Sequence, residues 1–261
     1  MNKVTWVLVV SIIAILFEFP VRSYASHPLV TDDTGTQGKG NVQVEANAEF
    51  SREKEPSDGM SVRKTAREIG LITSVGLTDE IDLVLGVPYQ WLKVEEDGTT
   101  TQRENGLSDV SLELKWRFFE KDGWGLALKP GVTLPTGNEG KGLGPGKTGY
   151  STFFISTKTI DPWAFHLNLG YFRHENKADE RKDIWHASIA SELVITQGLK
   201  AVANLGQERN PDHTSNKHPA FALAGLIYSL KENFDIDLGV KIGLNEPEAD
   251  YSILAGFAWR F

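Results

Sequence analysis

The sequence predicts an all-β chain, a transmembrane antiparallel β-barrel of about 12 strands with short periplasmic turns and longer extracellular loops. Three observations carry that expectation. From residue 41 onward, alternating runs of about ten residues recur twelve times, the period-2 signature of strands with different solvents on their two faces. The connections alternate between short and long. From residue 41 onward, all six tryptophans and three of the five tyrosines fall near strand ends, on the apolar parity, as membrane interfaces demand.

Before the first run, Lys3 precedes an apolar stretch over residues 4–17, and Ser23-Tyr24-Ala25 supplies small residues before a cut. Residues 1–25 are expected to be a cleaved signal peptide, with Pro20 arguing against a permanent helix. Cleavage divides the rest into a periplasmic or lumen-inserted segment, 26–39, and a barrel, 40–261. It removes Lys3, Arg22 and Glu18 from the chain's 27 basic and 35 acidic residues, leaving 25 against 34. Such an acidic balance excludes nucleic acid as a partner. The expected partners are outer-membrane lipid, the outer-membrane assembly machinery and a small solute. Without cysteine there is no disulfide framework or thiol chemistry, so packing and strand pairing must hold the fold.

The first run sets Val42, Val44, Ala46, Ala48 and Phe50 against Asn41, Gln43, Glu45, Asn47 and Glu49. In the second, Ile69, Leu71, Val75 and Leu77 oppose Glu68, Gly70 and Ser74. Alternation is cleanest in the third, where Ile81 to Trp91 on odd positions opposes Asp82, Gly86 and Gln90, and in the fourth, where Val110, Leu112, Leu114, Trp116 and Phe118 oppose Asp109, Ser111, Glu113, Lys115 and Arg117. Eight further runs cover 124–134, 148–158, 163–172, 184–195, 199–207, 219–230, 234–244 and 250–261. The run around Phe153, Phe154 and Ile155 shows no clear parity. Residues 78–80, 120–123, 159–162, 196–198 and 231–233 read as tight turns, whereas 51–64, 94–106, 135–147, 174–182, 208–218 and 245–249 read as loops. Such one-sided asymmetry belongs to a barrel with both termini in the periplasm. Trp116, Trp124, Trp163 and Trp259 mark the turn ends; Trp91, Trp185, Tyr89, Tyr171 and Tyr251 mark the loop ends.

The last strand resembles the closing strand of bacterial outer-membrane barrels, and on that likeness Phe257, Trp259 and Phe261 form the assembly signal. Two motifs point further. The opening His27-Pro-Leu-Val-Thr-Asp-Asp-Thr-Gly-Thr-Gln-Gly-Lys-Gly40 leads directly into the first run, and Lys129-Pro-Gly-Val-Thr-Leu-Pro-Thr-Gly137 ends the fifth. Together they resemble the bacterial meta-pathway phenol degradation family, over about residues 27–261. The resemblance implies an outer-membrane transporter of a Gram-negative bacterium, passing aromatic or other small apolar compounds.

The residues themselves suggest a porin-like channel for passive passage of small molecules, with a structural barrel that does not conduct as the alternative. The inward parity carries Glu45, Glu49, Glu68, Asp82, Asp109, Glu113, Lys115, Arg117, Lys129, Glu192, Lys200, Asp235, Asp237, Lys241 and Arg260 as lumen-lining residues. These line a wet pore or form ion-pair ladders that fill a narrow one. Acidic groups outnumber basic ones, so an open lumen should mildly prefer cations, and replacing Asp235 and Asp237 by Asn should change the selectivity. Residues 27–40, rich in hydrogen-bonding side chains, either dock in the lumen or hang in the periplasm. Loop 135–147, with its glycines, either folds inward as a constriction or lies mobile at the surface. A weaker reading is a lipid-modifying hydrolase, because His186 and Ser188 share one strand face at i and i+2, as outer-membrane hydrolases use a His-x-Ser pair. The parity of Trp185, Ala187 and Ile189 turns that pair inward, however, and the chain reads as no enzyme. His166 and His174 are too far apart to chelate together. No metal site and no cofactor are expected.

Overall fold

The computed structural model describes residues 27–57 and 60–261; the expected signal peptide lies outside them. Thirteen strands form one antiparallel sheet: β1 (Val42–Ser57), β2 (Met60–Gly76), β3 (Ile81–Glu96), β4 (Thr99–Leu107), β5 (Val110–Lys121), β6 (Trp124–Leu134), β7 (Gly149–Ile160), β8 (Trp163–Arg173), β9 (Asp183–Thr196), β10 (Leu199–Glu208), β11 (Ala220–Lys231), β12 (Phe234–Gly243) and β13 (Tyr251–Arg260). Pairing of β1 with β13, from Gln43↔Arg260 to Arg52↔Tyr251, closes the sheet. Phe261 extends the seam: its N–H donates to the Val42 carbonyl at 2.9 Å, and its own carbonyl accepts from Val42 N–H at 2.8 Å. Closure satisfies backbone groups that an open edge would leave bare in lipid.

The barrel has twelve staves because β4 and β5 share one. Both lie against β3, with Tyr89↔Leu107 above and Gly86↔Ser111 below. Between those pairs, Val87 and Pro88 face three residues, Ser108, Asp109 and Val110. Pro88 has no N–H to donate, so the ladder breaks there as a bulge, held by Ser108 N–H to the Pro88 carbonyl at 2.9 Å.

Two expected loops are strand instead. Over 51–64 the β1–β2 ladder continues to Ser57↔Met60, and over 94–106 β3 turns into β4 at Asp97-Gly98. Apolar alternation stops where a strand leaves the hydrocarbon, but hydrogen-bonded pairing does not need it. Asp97 and Gly98 take φ of 46° and 81°, the left-handed pair that a two-residue hairpin requires.

Lipid-facing positions are exposed and apolar, among them Leu112, Leu114, Leu238 and Val240, and the girdle residues Trp91, Trp116, Trp124, Trp163, Trp185 and Trp259 are exposed with them. The lumen holds what core there is: Phe221, Leu223 and Leu254 pack on Leu29. Run 148–158 lacks legible parity because β7 turns Phe153 and Ile155 inward. Ile155 is fully buried between the inward Ala127 and Asn168, and Phe153 packs edge-on against His186.

Candidate functional site

Residues 27–40 run inside the barrel as a belt along the wall. Their contacts visit the staves in reverse chain order. His27 Nδ1 lies 2.5 Å from Asp237 Oδ1 on β12. Pro28 then crosses β11 and β12 where Gly225 and Gly239 leave room; a Cβ on either would come within 2.7 Å of the proline ring. Asn204 on β10 accepts from the N–H groups of Val30 and Thr31 at 2.8 and 3.0 Å. Thr31 Oγ1 donates to Ser188 Oγ on β9 at 2.7 Å. Asn168 on β8 clamps Asp32 both ways, accepting from its N–H and donating to its carbonyl, each at 2.8 Å. Thr34 N–H reaches Thr157 Oγ1 on β7 at 3.0 Å, and Gln37 N–H reaches the Asp82 carboxylate on β3 at 2.9 Å. At Gly76 the β2 end approaches Gly38 so closely that no side chain fits. Donors and acceptors of an irregular backbone at membrane depth are thus met by the inner wall.

The centre of this arrangement is Asp32. Its carboxylate receives Lys115 Nζ and Lys129 Nζ, each at 2.9 Å, while Lys115 also reaches Asp33 at 3.3 Å and Lys129 reaches Glu113 at 3.4 Å. Lys115 and Asp33 are buried. In low dielectric such a cluster holds only because each charge finds an opposite one.

The other inward charges form separate groups. Glu49 and Glu248 flank Lys241 at 3.1 and 3.3 Å. Glu192 takes Lys200 at 2.9 Å and His166 at 3.5 Å. Arg260 joins Asp235 at 2.7 Å and Gln43 at 2.7 Å. Arg117 sits at the turn end, donating to the Asp79 carbonyl at 3.1 Å and pairing with Glu120 at 3.2 Å. Asp109 accepts from Gly137 N–H at 2.7 Å. Glu45 and Glu68 differ from these: they accept from the amides of Gln43 and Gln90, both at 2.6 Å.

Between the belt and the wall of β1, β2, β3, β5 and β6 remains a cavity of about 360 Å³. Carboxylates of Glu45, Glu68, Asp82 and Glu113 border it with Lys115 and Lys129, and Leu29, Val30, Ile72, Val84 and Val87 give it apolar patches. Above it, loop 135–147 folds inward. Leu143 is buried against Gly106, its carbonyl accepting from Ser108 Oγ at 2.7 Å, and Lys141 pairs with Glu104 at 3.2 Å. Loop 174–182 joins it through Lys177–Glu139 at 2.6 Å. In that loop, hydrogen bonds from Lys182 and Arg173 hold the Glu175 carboxyl below the usual carboxylate range.

His186 and Ser188 do meet: Nε2 lies 3.0 Å from Ser188 Oγ, and Nδ1 lies 3.3 Å from Glu208. Serine, imidazole and carboxylate in that order are a nucleophile's geometry. Yet Ser188 is 3 % exposed, with Thr31 bonded to its oxygen, so the belt sits where a substrate would have to be. Among the described residues, no group of three or more potential ligands could hold a metal ion. Sequence reasoning passed over the neutral anchors Thr157, Asn168 and Asn204 and the histidine His27. Asparagines at inward positions between apolar neighbours, as at 168 and 204, were the available signal.

A closed twelve-stave sheet with an apolar outer girdle and a charged, belted lumen defines an outer-membrane β-barrel. Residues 25–261 match the family model described as "Putative MetA-pathway of phenol degradation", and the chain belongs to that family. Among curated proteins, none matches the chain in sequence. In structure it is similar to the COG4313 outer membrane channel from Pseudomonas putida F1, at 15% identity and a TM-score of 0.67, covering 88% of this chain and 98% of that one. It is also similar to the KdgM porin, at 8% identity and a TM-score of 0.56, covering 84% and 99%. The translocator domain of autotransporter NalP from Neisseria meningitidis gives 11% identity and a TM-score of 0.55, covering 86% and 89%.

Proposed function

We propose that this barrel is an outer-membrane channel for the passive passage of small molecules, apolar and aromatic compounds among them. The observation that carries the reading is the cavity left beside the belt. At about 360 Å³ it lies within the range of small-molecule sites, and its walls mix carboxylates with aliphatic patches. The family description and the likeness to a channel and a porin support the same reading. Burial of Ser188 beneath the belt favours passage over hydrolysis.

Planar-bilayer conductance and liposome swelling with small phenols and sugars test it directly. Discrete conductance steps with faster swelling for the smallest solutes are expected. Absence of conductance together with unimpaired solute uptake in a deletion strain would assign the barrel a structural role.

A further inference from the structure

The strands that outrun the hydrocarbon carry a patch unlike the rest of this acidic chain. Along β1 and β2, Phe50 pairs with Arg67, Arg52 with Thr65 and Lys54 with Arg63. Across β2, β3 and β4, Arg67 pairs with Trp91, Thr65 with Lys93, and Lys93 with Arg103. All of these share the outward face with Tyr251, the partner of Arg52, and with girdle residue Trp91. Side-chain contacts agree with that facing: Arg67 lies over the Phe50 ring at 5.7 Å, and Phe50 packs on Tyr251 at 6.4 Å.

Six cations therefore stand on four adjacent strands, in three successive outward rows that begin at the level of Trp91. Lys93 follows Trp91 by two residues, about 5 Å further from the bilayer centre for a tilted strand. Within the patch, Glu95 is the one carboxylate at these positions, shared between Lys93 at 2.8 Å and Arg63 at 3.9 Å. Among the described residues, the side chains of Arg52, Lys54, Arg67 and Arg103 have no carboxylate partner. Lys54, Arg67 and Arg103 are exposed. Directly above an aromatic girdle on the loop side of the barrel is where the outer leaflet presents its charged headgroups. Clustered arginines and lysines there match phosphate oxygens in charge and fork geometry.

We propose that this face of β1–β4 is a docking surface for the phosphate groups of the phosphorylated glycolipid of the outer leaflet. Its acyl chains then lie on the apolar band below, and its phosphates sit among Arg52, Arg67, Lys93 and Arg103. The site is independent of whether the lumen conducts.

The test uses the folded full-length barrel in detergent, with native mass spectrometry reading bound diphosphorylated lipid A. Wild type should retain it, and R52Q/R67Q/K93Q/R103Q should lose retention by about tenfold or more, given the contribution of each basic side chain near an anionic surface. A charge-preserving R52K/R67K/R103K variant should stay close to wild type. Heat-modifiable gel mobility confirms that each variant is folded; if the quadruple variant does not fold, K93E/R103E is read in its place. Equal retention by a folded charge-neutralised or charge-reversed variant overturns the proposal. So does equal retention of dephosphorylated lipid A, or equal binding of phosphatidylglycerol in competition, which would reduce the patch to a general anionic-lipid surface.

Discussion

Replacing Asp32 by Asn isolates the charge that pins the belt. The amide keeps one acceptor and the side chain's shape but removes the partner of Lys115 and Lys129, each 2.9 Å away. Breaking a buried pair from one side costs about 3–5 kcal/mol. Here each lysine keeps a second carboxylate, Asp33 at 3.3 Å and Glu113 at 3.4 Å. The remaining charge-assisted contacts bring the loss down to about 2–3 kcal/mol. Converted at roughly 1.4 kcal/mol per tenfold, the belt's opening equilibrium rises by about 30- to 150-fold. Hydrogen exchange by mass spectrometry reads this on the N–H groups of Val30, Thr31, Asp32, Thr34 and Gln37, whose partners are side chains of the wall. Peptides from β10 to β13 serve as the reference, since the ladder there is untouched. Belt exchange within threefold of wild type, or equal acceleration in the strands, would refute the view that this cluster is a local clasp.

The same geometry sets four more outcomes. Gly239→Val drives a side chain into Pro28, whose ring lies 2.7 Å from the point where a first side-chain carbon would stand; overpacking of this kind costs about 1–3 kcal/mol, so the temperature of heat-modified unfolding should fall, and an unchanged temperature would contradict the contact. Glu45→Gln with Glu68→Gln should weaken cation preference measured as a reversal potential across a salt gradient, whereas Asp235→Asn with Asp237→Asn should do less, because Arg260 and His27 already partner those two. Ser188→Ala should leave hydrolysis of a p-nitrophenyl ester at the level of wild type; a serine-dependent rate would restore the hydrolase reading. Deleting Phe261 removes two backbone hydrogen bonds from the seam and should lower the folded fraction in outer membranes, with undiminished folded protein arguing against its role.

Much of the barrel is written in period-2 alternation, and it is legible wherever lipid and lumen impose different solvents. Residues 110–118 of β5 show this. Legibility fails where that contrast fades. Above the girdle, Arg52 and Glu53 are both charged although they face opposite ways, so β1 and β2 read as loop. Inside β7, Ile155 is apolar yet inward because it packs between the inward Ala127 and Asn168 of the flanking strands. The inward charges were readable one by one from parity, but their grouping was not, since partners such as Lys115 and Asp32 are distant in sequence and meet only through the belt. Asp237 follows the same logic, being met by His27 of the belt, whereas Asp235 is met by Arg260 of the neighbouring strand.

The reversed path of the belt also orders events during biogenesis. His27, its first described residue, rests on β12, and Leu29 rests on side chains of β11 and β13, so these seats do not exist until the C-terminal strands have arrived. Contacts of such long sequence separation are the last to repay the entropy of closing their loops. A barrel arrested short of its final strands would leave its leading segment unseated in the periplasm, accessible to proteases, whereas a completed one withdraws it. The belt thereby distinguishes finished from unfinished copies, with residues 27–40 as the reporter.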